Sequence, residues 1–153
     1  MKILVISDSH GKKERVEEVL KRETYDYFIF LGDGLSDIKS VIDDPKTVAV
    51  KGNCDFFSSL DDTKVVEMAG LRFLLTHGDR YHVKSTLYPL SLEAKQLGVD
   101  VVLYGHTHSF SDQTYDDIRY INCPSLYKSF DGKTQYLRLS VDDKKISNRV
   151  VDF

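Results

Sequence analysis

Five strongly apolar runs, each stopping at a residue able to bind a metal, restrict the fold of this chain more than anything else in it. The first three are "KILVIS" (2–7), "YDYFIFLG" (25–32) and "TVAVKG" (47–52). A strand that is apolar at consecutive positions must be covered on both faces, the pattern of a parallel sheet buried under helices. Between the first two runs, "KKERVEEVLKRE" (12–23) places Val16, Val19 and Leu20 on one face of a predicted amphipathic helix. "SDIKSVIDD" (36–44) predicts a short helix with Ser36 as N-cap and Pro45 closing it.

The second half changes character. "TKVVEMAGLRFLLTH" (63–77) predicts two strands joined at Ala69-Gly70. "STLYPLSLEAKQLG" (85–98) predicts a helix that Pro89 breaks or kinks in its first turns and Gly98 ends. "DVVLYG" (100–105) is a further buried strand. "QTYDDIRYIN" (113–122) and "TQYLRLSVDDKKISNRVVDF" (134–153) predict antiparallel hairpins turning at Asp116-Asp117 and Asp142-Asp143. That is too many strands for one small open sheet. The expected fold is α/β, a two-sheet β-sandwich flanked by helices. With no linker, repeat or low-complexity tract, residues 1–153 read as a single domain.

The polar residues that end the runs are Asp8 and His10, then Asp33, Asn53 and His77, and finally His106 and His108. In α/β sheets, the carboxyl ends of the strands are where ligand crevices form. Gly32, Gly52 and Gly105 stand beside three of the candidates and permit tight turns and close backbone approach. Taken singly, each candidate has a plainer reading. Asp8 and His10 suit a loop before a helix, Gly32-Asp33 and Asn53 suit turns, and His77 suits a core histidine. Seven suitable ligands at five strand ends, using four of the five histidines, outweigh those readings together. No cysteine belongs to the set, which disfavours a closed structural zinc site. Imidazole, carboxylate and amide donors suit Mn²⁺, Fe²⁺, Zn²⁺ or Ni²⁺, with the carboxylates favouring harder ions. Seven ligands are too many for one ion and enough for two, and ions roughly 3.5–4 Å apart clamp an in-line displacement at phosphorus.

Charge narrows the partners. The formal net charge is −3, which argues against long nucleic acid, since that needs a basic face. The opening "MKILVISDSHG" lacks the pattern of a secretory signal, and no apolar stretch approaches a membrane span. Cys54 and Cys123 read as free thiols, and the expected location is the cytoplasm.

In order, D-x-H (8–10), G-D (32–33), G-N (52–53), H-G (77–78) and G-H-T-H (105–108) resemble the motifs of the calcineurin-like metallophosphoesterases. The likeness is greatest to the small single-domain YfcE-type phosphodiesterase branch, and it extends to "INCPSL" (121–126), where relatives carry Asn-Pro-Gly-Ser. The resemblance implies a four-layer α-β-β-α fold and two divalent metal ions sharing Asp33. Asp8, His10 and His108 would complete one site, and Asn53, His77 and His106 the other. Mn²⁺ is the first expectation for both, with Ni²⁺, Fe²⁺, Zn²⁺ and Co²⁺ as alternatives. It further implies hydrolysis of a small phosphodiester, a nucleotide among the candidates, by a hydroxide bridging the ions, with Asn53 near the phosphoryl oxygens. A phosphomonoesterase is the alternative activity. A non-catalytic protein-binding scaffold, like the retromer subunit of this fold, is the alternative class.

Two departures stand out. Many family members have Gly-Asn-His-Asp/Glu, with the histidine serving the phosphate or leaving group. Here the stretch is "GNCD", with Cys54 in that place, and "NCPS" replaces Asn-Pro-Gly-Ser. His82 is the one histidine outside the set and reads as a surface residue, so no general acid is assigned. Cys54 reads as a small filler at a crowded turn. Phe56-Phe57 can line a pocket, anchor a dimer or pack in the core. Exposed hairpin edges leave room for a homo-oligomer.

Overall fold

In the computed structural model, which describes residues 1–153, ten strands and two α-helices follow one another along the chain. They are β1 (Lys2–Ile6), α1 (Lys13–Arg22), β2 (Tyr27–Phe30), β3 (Thr47–Ala49), β4 (Thr63–Met68), β5 (Leu71–Thr76), α2 (Tyr88–Leu97), β6 (Val101–Tyr104), β7 (Ser111–Tyr115), β8 (Ile118–Asn122), β9 (Gln135–Asp142) and β10 (Lys145–Asp152). They form two five-stranded mixed sheets, ordered β10-β9-β1-β2-β3 and β4-β5-β6-β8-β7. The pairs β1–β2, β2–β3, β5–β6 and β6–β8 are parallel.

The continuous apolar runs are explained by alternation. Side chains on a strand point to opposite faces in turn, so β1 serves two cores. Ile3 and Val5 face the second sheet, where they meet Phe73, Leu75, Leu103 and Ile121. Leu4 and Ile6 face outward and pack under Val16 and Val19 of α1. The second sheet divides in the same way. Leu74, Val102 and Tyr104 turn away from the sandwich toward Leu90 and Ala94 of α2. The result is helix, sheet, sheet, helix, as expected.

Four local expectations need correction. Residues 36–44 form no α-helix. A 3-10 turn over Leu35–Ile38 leads into further tight turns, with Val41 N–H bonded to the Ile38 carbonyl and Asp44 N–H to that of Val41. Ser36 caps nothing. Instead the Asp37 carboxylate accepts from the Ser9 hydroxyl (2.6 Å) and Gly11 N–H (2.9 Å), tying the segment to the loop after β1. Pro89 does not kink α2 but sits in its first turn, where the missing N–H is no loss. Gly98 ends that helix in the left-handed region (φ 62°), as read. The last hairpin turns one residue later than read, at Asp143-Lys144 (φ 46° and 61°), while Ala69-Gly70 and Asp116-Asp117 hold the other two turns. The later turn pairs Val141 with Ile146 and Leu137 with Val150, where a turn at Asp142-Asp143 would pair them with Lys144 and Asn148. Finally, Phe56 and Phe57 are not core residues, being 81% and 104% exposed.

Candidate metal centre

The loops leaving β1, β2, β3, β5 and β6 converge at one end of the sandwich, and two pairs of them touch through glycine. A side chain at Gly52 would overlap Asp33 Oδ1 and the Asp33 backbone nitrogen, and one at Gly105 would overlap Ser7 Oγ. Five of the seven candidate ligands have left-handed backbone: Asp8 (φ 53°), His10 (43°), Asp33 (58°), His106 (68°) and His108 (56°). Such conformations are uncommon for side-chain-bearing residues and gather at functional sites, where the fold holds them in place.

Six of the seven are brought together. Ligand atoms of Asp8, His10 and His108 lie within 4.8 Å of one another, and so do those of Asp33, His77 and His106. Each carboxylate divides its two oxygens. Asp8 Oδ2 accepts from the Ser7 hydroxyl and from His106 N–H (3.2 Å). Asp8 Oδ1 is fully buried and accepts no hydrogen bond, yet it lies 3.0, 3.6 and 3.8 Å from the Nε2 atoms of His108, His10 and His77. Asp33 Oδ1 accepts from Cys54 N–H (2.7 Å), while Oδ2 is 3.2 Å from His77 Nε2 and 3.8 Å from His10 Nε2. The rings are oriented from behind. His77 Nδ1 is 2.7 Å from the Leu31 carbonyl and His108 Nδ1 is 3.2 Å from that of Lys128, so in both rings Nε2 is the atom turned to the centre.

Charge is concentrated here. Burial alone would raise the Asp8 carboxyl, but the surrounding His10, His108 and His77 rings and the Ser7 hydroxyl outweigh it and hold it far below the usual range. Burial of Asp33 is likewise overcome, by His77 and the Cys54 N–H. Burial works against protonated His77, yet Asp33 and Asp8 lift it to about 9. Asp8 also raises His10, whereas burial, His77 and Lys84 lower His106. A buried oxygen with no hydrogen-bond partner, facing three imidazole nitrogens, is a site built for a cation rather than for itself. The donor set is nitrogen and oxygen, which fits divalent transition ions.

Asn53 is exposed on the turn after Gly52, and no side-chain hydrogen bond joins it to the other six. Its amide lies 3.5 Å from Cys54 Sγ. Cys54 Sγ borders the cluster, within 4.8 Å of His10 and Asp33 ligand atoms. Burial and the charges of Asp33, Asp55 and Asp8 push its thiol up to about 11, which suits filler better than nucleophile. Cys54 and Cys123 are both free. His82 is exposed, as read from sequence.

The supporting residues escaped the sequence reading. Asp55 is the chief one. Its carboxylate accepts four backbone N–H groups, from Asp33 (2.8 Å), Gly34 (3.0 Å), Leu35 (2.9 Å) and Gly52 (2.8 Å), so it locks the loops after β2 and β3 together. Its place in "GNCD" was the available signal. Ser125 donates to the Asp8 carbonyl (3.0 Å) and accepts from Tyr127 and Lys128 N–H. Asn122, buried at the end of β8, donates to the Thr107 hydroxyl between the two histidines.

Comparison with known proteins identifies the family and the fold. Residues 1–144 match the model of the calcineurin-like phosphoesterase superfamily domain. A probable metallophosphoesterase of Bacillus subtilis, YsnB, is 36% identical over 110 residues, 71% of this chain and 64% of its own length. A phosphodiesterase of Methanocaldococcus jannaschii is 30% identical over 142 residues, 80% of this chain and 82% of its own. Among solved structures, a predicted phosphoesterase from Streptococcus pneumoniae superposes with a TM-score of 0.86 at 28% identity, covering 99% of this chain and 88% of that one. Vps29 of Entamoeba histolytica shares the fold at a TM-score of 0.78 and 20% identity, covering 100% and 99%. The family is metal-dependent. The chain belongs to the calcineurin-like phosphoesterase superfamily.

Proposed function

We propose that this chain hydrolyses small phosphodiesters at a centre of two divalent ions. Asp8, His10, Asp33 and His108 would hold one, and Asp33, Asn53, His77 and His106 the other. Mn²⁺ is the first choice, with Ni²⁺, Fe²⁺, Zn²⁺ and Co²⁺ as alternatives. The observation that carries this reading is the buried, unpartnered Asp8 Oδ1 facing three imidazole nitrogens. Such ions, when bound, supply Lewis-acid charge stabilisation at phosphorus and a water acidified toward neutral pH.

The protein's own part is positional. Asp8 and Asp33 each fix one oxygen and leave the other for an ion, while the Leu31 and Lys128 carbonyls keep His77 and His108 aimed inward. Asn53, exposed beside the cluster, is suited to donate to a phosphoryl oxygen. Apart from exposed His82, no histidine is left to protonate the leaving group. General acid help is typically worth about 10²–10⁴-fold, so turnover should fall steeply as leaving-group pKa rises. A flat dependence would reveal a hidden acid, with Asp79 and His82 the first suspects.

Location in the cytoplasm and self-association through free sheet edges belong to the same reading, as does the absence of membrane or long nucleic-acid partners. No helix is long and apolar enough to cross a membrane. The likeness to Vps29 over the whole chain favours one second reading, a non-catalytic protein-binding scaffold.

The deciding experiment strips the protein with chelator and assays an activated phosphodiester against the matching monoester, with and without Mn²⁺. Mn²⁺-dependent turnover that prefers the diester is expected. Preference for the monoester would make the chain a phosphomonoesterase, and no turnover with any of the five metals would leave the scaffold.

A further inference from the structure

The cluster of ligands lies between two clefts of unlike character. One, about 630 Å³, is bordered by His106 and His108 and carries Lys84, Lys128, Tyr127 and Phe130. The other, about 550 Å³, begins at Cys54 and is lined by Leu35, Ile42, Phe56 and Phe57. Each volume suits a ligand of nucleotide size.

The aromatic residues of the first cleft are displayed on a fixed loop. Phe130 is 90% exposed, yet its N–H is bonded to the His108 carbonyl (2.7 Å), and the loop closes on itself through Gly132 N–H to the Ser129 carbonyl (2.9 Å). Tyr127 presents its ring edge-on to His10, with centroids 5.7 Å apart, and Lys12 Nζ lies 5.6 Å from the Tyr127 centroid. Large apolar side chains held in water at the mouth of a site are surfaces for stacking. The lysines carry a separate message. Ions at the centre would meet the charge of the phosphoryl group being cleaved. Lys84 and Lys128, in a chain of net charge −3, therefore face a second anion. The other cleft, past Cys54, offers aromatic and aliphatic surface.

A phosphodiester has two ester arms, and the two clefts differ as two such arms would. Building on the phosphodiesterase reading above, we propose that the substrate is a 5′-phosphorylated dinucleotide. The nucleoside carrying the terminal phosphate stacks on Tyr127 and Phe130, with that phosphate at Lys84 and Lys128. The second nucleoside lies against Phe56 and Phe57. Water oxygen bonds to the bridging phosphorus, the P–O bond to the 3′ oxygen of the phosphate-bearing nucleoside breaks, and that oxygen takes the proton. Two mononucleotides result.

The test separates binding from turnover. The probes are pApA and its unphosphorylated counterpart ApA, titrated calorimetrically into Mn²⁺-reloaded protein. pApA should bind about tenfold more tightly, a preference of the size two partly exposed charge contacts provide, and the advantage should shrink as salt rises. Lys84→Ala/Lys128→Ala should reduce the ratio to about one, whereas Lys145→Ala, on the far hairpin, should leave it unchanged. Phe56→Ser/Phe57→Ser should weaken both probes alike. Equal affinity for pApA and ApA, or a preference that survives loss of both lysines, would overturn the proposal even if bis(4-nitrophenyl) phosphate is turned over. Selective binding of pApA without turnover of any diester would uphold the cleft and overturn the enzyme reading instead.

Discussion

Removing the Asp55 carboxylate would strand four backbone N–H groups at once, those of Asp33, Gly34, Leu35 and Gly52. Hydrogen bonds to a charged acceptor are worth about 1.5–3 kcal/mol each and do not add fully. Asp55→Ala should therefore destabilise the protein by about 3 kcal/mol in urea unfolding. It should also weaken Mn²⁺ binding about 10–100-fold, the usual effect of losing an outer partner, with Asp55→Asn recovering part of both. His77 supplies a pH signature for the ion-free protein. Its pKa is raised to about 9, so its pairing with Asp33 contributes in full below the ordinary histidine value near 6.5 and is lost as pH rises through 9. Unfolding free energy measured in chelator should fall by on the order of 1–3 kcal/mol between pH 6.5 and 9.5. A flat profile would show that His77 is neutral there. At this scale the ligand types were legible because each closes an apolar run. Asp55 was not, because three of its four partners are backbone groups 20 to 22 residues earlier that meet it only after β2 and β3 have paired, and Asn53 was placed by motif while its side chain joins no other candidate.

At the scale of elements, continuous burial gave away β1, β2 and β6, since each must feed two cores. Hairpins were found wherever two acidic or small residues interrupt alternation. The missed register of β9 and β10 follows from three acidic or basic residues in a row after Asp142, any two of which can turn. Only the cross-strand pairing of Val141 with Ile146 decides between them. Residues 36–44 were misread because the pull of Asp37 toward Ser9 and Gly11 is tertiary and leaves no periodic trace. One tie between the sheets was also invisible. Arg119 of β8 grips Asp112 of β7 through two nitrogens (2.9 and 2.6 Å) and donates to the Ile146 carbonyl on β10 of the other sheet (2.6 Å). Arg119→Leu should lower stability by about 1–2 kcal/mol, and Arg119→Lys should restore little, because an ammonium lacks the fork. Arg119 holds the Asp112 carboxyl below its usual range, so this contribution is present above about pH 4 and is lost as pH falls further. A wild-type and Arg119→Leu pair whose stabilities converge in acid would bear this out.

The molecule as a whole is two helix-backed sheets whose apolar interior is complete without the site, so the sandwich should fold in the absence of metal. Mn²⁺ at 100 times its dissociation constant should nevertheless add about 2.7 kcal/mol, seen as a rise in melting temperature that chelator reverses. The five left-handed ligands give that rise a second meaning. Each holds a side chain in a conformation costing on the order of 1 kcal/mol, so in ion-free protein the ligand loops behave as a cocked spring braced by the two cores around them. Asparagine tolerates this backbone better than histidine. His106→Asn should thus leave the ion-free protein as stable as the parent or about 0.5–1 kcal/mol more so, while abolishing the gain from Mn²⁺. The tension that keeps the ligands poised is also a standing incentive for the chain to drift, by single substitutions, toward a sturdier and inert version of itself.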